Sequence, residues 1–317
     1  MFKIEKQLQN SMAIERIVSF LPSATELLYE LGLEDRVFGV THECLYPEEA
    51  KTKPRVITSV LNPDVLSSKE IDDKIVELMR NGMDVFLLNE KNLIKAKPDL
   101  IVSQEICEVC SAYTNQVNKA LSILDKKPQV HVLNPTDLDG ILASVGELAK
   151  KVGREQQGMN LRKSLEKRIE CIKSKKFEKK PRVLCIEWIE PFFTSGHWVP
   201  EMVEIAGGEN LISKRGEKSR RMARDEVEKA NPEIIIMMPC GFDTERTISE
   251  YKKILESNYK WNKLQAVKTN NVYAVDANSY FSKPSIRTIT GLEILAKIIH
   301  PQVFGKIDVP KNSFKQI

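Results

Sequence analysis

An α/β protein of two Rossmann-like lobes, joined by a single long helix and enclosing a ligand cleft, is the fold this sequence predicts. Three observations carry the prediction. Short β-branched runs alternate with amphipathic stretches of helical period along the chain, the pattern of strands covered by helices. That alternation occurs twice with the same punctuation: AKPDLIVS at 96–103 is echoed by ANPEIIIM at 230–237, a proline break, an acid and a buried run each time. Between the two sets lie helical segments at 137–152 and 154–175, the second with Leu161, Leu165, Ile169 and Ile172 at helical spacing. A helix of about 20 residues is about 30 Å long and reaches from one lobe to another.

Taken in order, residues 1–13 read as an arm without periodicity. The first lobe spans 14–136. Ile17 to Leu21 is a strand, and Pro22, Ser23 and Glu26 open a helix in which Ser23 caps and Glu26 completes a capping box; Gly32 ends it. Val37 to Val40 is a second strand, followed by His42, Glu43 and Cys44. The stretch from Pro47 to Val60 reads as loop. A helix over Ile71 to Met79, a strand over 84–88, a short helix over 92–96, a strand over 99–103, a helix over 115–124 and a strand over 130–133 complete the lobe.

The linker is 137–180, with Gly158 as its one weak point, so only small tilts between lobes are expected. The second lobe spans 181–302. It opens with the strand Val183 to Ile186 and a loop rich in aromatic side chains: Trp188, Phe192, Phe193, His197 and Trp198. Loops are normally polar. Either the rings form a satellite core or they wall a binding site at strand carboxyl ends, where open α/β sheets hold ligands. A helix over 200–205 follows, stopped by Gly207 and Gly208; later come the strand within 230–237 and another over Val272 to Val275. His300 is read as a helix C-terminal cap, and 303–317 as a tail.

Composition excludes several functions. The chain has 317 residues, 42% hydrophobic and 29% charged, and its net charge of +4 arises from 48 basic against 44 acidic residues. So slight an excess does not suit nucleic acid. No apolar run is long enough to span a membrane, and no signal-like stretch precedes Arg16, so a cytoplasmic, monomeric protein is expected. Six cysteines are too few for a disulfide scaffold. Cys44, Cys107, Cys110 and Cys240 all follow predicted strands, with Glu105 beside the CEVC turn, whereas Cys171 and Cys185 suit a core. These thiols are either buried hydrophobes or ligands, Cys107 and Cys110 foremost, that tune a bound metal. His42 and His197 are the strand-end imidazoles. No dinucleotide fingerprint, phosphate loop or nucleophile–base pair is present, so no enzyme is expected. Glu187, beside Trp188, is either a perturbed acid or a ligand-facing acceptor.

RIVSFLPSATELLYELGLEDRVFGVTHECLYP, KPDLIVSQ, PFFTSGHWVPEMVEIAGGENL and NSYFSKPS together resemble the substrate-binding proteins of ABC importers for vitamin B12, siderophores and haem, most closely a signal-less cobalamin-binding branch. The resemblance covers about Arg16 to Pro301. It implies a flat macrocycle, a corrinoid first and haem or a ferric siderophore second, held by Pro22, Ser23, His42, Glu43, Cys44, Trp188, Phe192, Phe193, Ser279, Tyr280 and Phe281, with no cofactor required. A corrinoid- or haem-modifying enzyme using the cleft cysteines is the reading from another class. Family members also present an acid on each lobe to the permease. Asp225 keeps one, while Lys91, with Glu90 beside it, stands at the other, so docking to a permease is in doubt and a cytosolic carrier or sensor is expected.

Overall fold

The computed structural model describes residues 13–104 and 112–317. Its first lobe is a six-stranded sheet of β1 (Ile17–Ser19), β2 (Val37–Thr41), β3 (Arg55–Ser59), β4 (Phe86–Leu88), β5 (Leu100–Ser103) and β6 (Gln129–Val132), ordered β4-β3-β2-β1-β5-β6. All pairs are parallel except β3 with β4. The second lobe contains β7 (Arg182–Trp188), β8 (Phe193–Thr194), β9 (Glu209–Asn210), β10 (Ile234–Met237), β11 (Val272–Val275) and β12 (Phe314–Gln316). Here β7, β10 and β11 run parallel at the centre, β8 and β12 lie antiparallel at the edges, and β9 adds to the start of β7.

The repeated punctuation has one structural meaning in both lobes. Lys97 and Asn231 each end a helix in the left-handed conformation, at φ of 45° and 41°, and the following proline prevents the helix from resuming. The acid after each proline then binds the start of the neighbouring central strand: Asp99 accepts from the Arg16 amide at 3.1 Å, and Glu233 accepts from the Arg182 amide at 3.0 Å. The two arginines also correspond, since Arg16 Nε donates to the Ala96 carbonyl and Arg182 Nη2 to that of Asn231.

Between the lobes run two antiparallel-connected helices, Leu138–Lys151 and Glu155–Lys173. Arg168 forks onto Glu293, and Arg215 joins Asp137, Asp139 and Glu201, so this pair is bound to the second lobe. Gly158 is a contact rather than a weak point: a Cβ there would lie 2.3 Å from the Ala149 Cβ.

Three local expectations change. The stretch taken as loop contains β3, because Arg55–Ser59 finds a parallel partner in β2 that no local signal announces. Ser23 does not cap its helix: Leu21 is the N-cap, Pro22 occupies the first turn, and Glu26 is buried in an ion pair. The expected tail returns to the fold, with β12 paired along β11 from Tyr273–Gln316 to Val275–Phe314. His300 is the C-cap of the helix Thr288–Ile299, as expected, its amide donating to the Ala296 carbonyl at 2.9 Å, and its buried ring is stacked on Phe177 at 4.1 Å with Nε2 3.0 Å from the Gly207 carbonyl.

Candidate functional site

The carboxyl ends of β1 and β2 face those of β7 and β10 across the interlobe space, and a parallel sheet leaves its strand-end loops there to carry function. On the first lobe this edge holds the helix Pro22–Glu30 and the turn from His42 to Tyr46; on the second it holds Glu187, Trp188, Cys240 and the segment 277–287. That segment is firmly seated. The short helix Ala277–Tyr280 is capped by Asp276, the Phe281 carbonyl accepts from Trp198 Nε1 at 3.0 Å, and the Ser282 hydroxyl accepts from the Gly241 amide at 3.0 Å.

The aromatic loop divides between the two possibilities left open for it. Trp188 is half-buried, edge-on to Phe242 with ring centres 5.3 Å apart, and its Nε1 donates to the Ser68 carbonyl of the opposite lobe at 3.1 Å. Phe193 is half-buried, with the Arg221 guanidinium 5.8 Å from its ring. Phe192 and Trp198 are corrected from wall to core. Phe192, in the turn just before β8, packs on Trp261 in a core cluster with Ile186, Met222 and Val227. Trp198 is buried in the main hydrophobic core. His197 supports the 213–221 loop through its backbone, in a left-handed conformation. Desolvation, then Lys218, holds its imidazole pKa below the usual value.

Cys44 is also corrected. It is fully buried, its Sγ lies 3.1 Å from the Thr25 hydroxyl and 3.4 Å from that of Thr41, and burial raises its pKa, so it is a packed thiol. Cys185 is in the core, as expected, whereas Cys171, expected there too, is exposed on the helix Glu155–Lys173. Cys240 is exposed by area, yet crowding by protein makes desolvation, ahead of Glu187, the main cause that pushes its pKa up to about 12. A thiol so placed is a poor thiolate ligand. Glu105, Cys107 and Cys110 lie outside the described residues. Among the described residues no group of three or more His, Cys, Asp or Glu side chains is gathered to hold a metal ion. Pro22, Ser23, Tyr280 and Phe281 are buried at this edge, while His42, Glu43, Glu187 and Ser279 are half-buried. The His42 ring lies 5.8 Å from that of Phe86.

Several residues that reasoning from sequence passed over hold the lobes together. Glu250 Oε1 accepts from both the amide and the hydroxyl of Ser68, at 2.7 and 2.6 Å. Arg221 Nη2 donates to both carboxylate oxygens of Asp72, and Arg246 donates to the Pro63 and Leu66 carbonyls while lying 3.7 Å from the Phe242 ring centre. At another point Arg287 meets buried Glu26 at 3.3 Å and lies over the rings of Tyr46 and Tyr280, at 4.2 and 4.9 Å. Desolvation raises the Glu26 pKa, opposed first by Arg287.

A family model described as periplasmic binding protein matches residues 17–279. The chain belongs to that family. It is 26% identical over 300 residues to the ABC transporter substrate-binding lipoprotein YvrC of Bacillus subtilis, covering 92% of this chain and 81% of that one. It is 23% identical over 230 residues to the vitamin B12-binding protein of Yersinia pestis, covering 72% and 70%. Its fold matches that of S. aureus IsdE complexed with haem at a TM-score of 0.67 and 20% identity, over 90% of this chain and 98% of that one.

These findings overturn the expected cytoplasmic placement. The family is one of periplasmic binding proteins, and a relative aligned over most of this binding protein is a lipoprotein, so the expectation of a cytosolic carrier or sensor falls with it. Asp225 is exposed and paired with Lys229 at 3.0 Å; Glu90 is paired with Lys119 at 3.1 Å, and Lys91 is exposed.

Proposed function

We propose that this protein binds a corrinoid metal chelate, without catalysis, between its lobes, as the substrate-binding component of an ABC importer. The observation that carries the reading is the convergence of aromatic and polar side chains from both lobes, Tyr46, Trp188, Phe242 and Tyr280 among them, at facing strand ends. A macrocycle is broad and apolar with a polar fringe, and such a wall buries the plate while a few polar groups orient its edge. The vitamin B12-binding relative supports a corrinoid, and the haem-loaded structural match keeps haem as the second reading. The ligand-binding unit is taken as lobes 14–136 and 181–302 with 137–180 between them, acting as a monomer. Contact with a permease would use the exposed faces bearing Asp225 and Glu90.

Titration of the purified protein tests this. Of the three tryptophans, Trp198 and Trp261 are buried and Trp188 is the partly exposed one. Cobalamin is expected to quench the fluorescence of the wild-type protein through Trp188, and the quench should be largely lost in Trp188→Phe. Binding of haem or a ferric siderophore with no heat from any corrinoid would move the assignment to that ligand. Metal-dependent turnover of the bound macrocycle would overturn the non-catalytic reading.

A further inference from the structure

The interlobe pair at Glu26 contains more positive charge than the pairing uses. Arg287 stands just before the helix Thr288–Ile299, and its guanidinium lies over Tyr46 from one lobe and Tyr280 from the other. Two aromatic faces hold the plane of an arginine while leaving its N–H edges available. Among the described residues, the Arg287 guanidinium makes one side-chain hydrogen bond, Nη1 to Glu26 Oε1 at 3.3 Å, long for a charged one. Lys283 also acts on Glu26, so two cations bear on one buried carboxylate. Tyr46 is 44% exposed, which leaves this corner open to a ligand, and the Arg287 side chain retains 19% of its own exposure.

We propose that Arg287 reads an anionic oxygen group, a phosphodiester or a carboxylate, on the edge of the bound chelate. A guanidinium fork matches such groups in geometry and charge, whereas an amide substituent offers it a single neutral acceptor. The cleft therefore selects chelates by an acidic fringe at this corner. The inference rests on the reading of the cleft as a chelate site and adds the chemistry of the ligand's edge.

Matched ligand pairs test it on the full chain by calorimetry. Cobalamin carries a phosphodiester that cobinamide lacks, and haem carries propionates that haem dimethyl ester masks. The wild-type protein should prefer the anionic member of whichever pair it binds, and that pair names the source of the anion. Arg287→Gln should lower affinity for the anionic member by about tenfold or more and leave the neutral member unchanged. Arg287→Lys, a point charge without the fork, should fall between. Glu26→Gln keeps Arg287 and should keep the preference, while the double variant Glu26→Gln, Arg287→Gln leaves no buried charge unpaired and should lose the preference in a folded protein. Equal losses for both members, or no loss for either, would overturn the role of Arg287 with chelate binding intact. Failure of the wild-type protein to bind any of the four probes would overturn the corrinoid and haem readings of the cleft, and this inference with them.

Discussion

Glu26 shows how a residue's role is decided by what it faces rather than by its neighbours in sequence. It sits in the first helix within a capping-box pattern, yet it is 4% exposed and its partner is 261 residues away. Desolvation outweighs Arg287, Ser285 and Lys283, so its pKa is raised. The folded protein therefore holds this proton to higher pH than the unfolded chain, for which a glutamate titrates near about 4.3. The resulting stabilisation is complete below that value and is lost as pH rises through the raised native one. In urea unfolding, the stability of the wild-type protein relative to Glu26→Gln is expected to fall as pH increases from about 4. A relative gain with rising pH would show that the Arg287 pairing outweighs burial.

Among the elements, the crossing of Leu138–Lys151 over Glu155–Lys173 is set by a missing side chain. Glycine weakens an isolated helix, and Gly158 taken alone suggests a place to bend. The added Cβ would stand 2.3 Å from that of Ala149, however, so the glycine permits close packing of two helices. Gly158→Ala should destabilise the protein by about 1–3 kcal/mol through overpacking, despite alanine's better helix propensity. Thermal unfolding checks this, and a stabilised variant would return Gly158 to the status of a flexible point. A second element-scale contact is the docking of the helix Ser68–Arg80, whose first residue gives its amide and hydroxyl to Glu250. Glu250→Ala leaves that buried amide without its acceptor and is expected to cost about 1–3 kcal/mol.

On the scale of the whole molecule, the lobes are restrained twice: by the packed helices between them and by polar contacts across the cleft from Ser68, Asp72 and Glu26 to Glu250, Arg221 and Arg287. A continuous helix resists bending unless a break intervenes. Ligand is expected to act through small tilts and loop shifts, so scattering curves with and without cobalamin should give nearly the same radius of gyration. A large compaction would instead show hinge closure of the wide type.

The sequence by itself determined the two-lobed α/β organisation, because the signals are local: a left-handed helix end, a proline, an acid and a β-branched run recur at 96–103 and 230–237 and fold alike. It also showed that aromatic and polar side chains gather at strand ends, since strand and loop were both legible around Trp188. What the tertiary structure decided is which of those side chains face the cleft. Phe192 and Phe193 are adjacent, yet the turn before β8 places the first in the core against Trp261 and leaves the second half-buried. Cys44 follows a strand as Cys240 does, but Thr25 and Thr41 close over it. No local pattern marks Arg287 or Glu250, and only their partners, 261 and 182 residues distant, bring them to the contacts between the lobes. A side chain's direction and its distant partner are properties of packing, which no local pattern encodes.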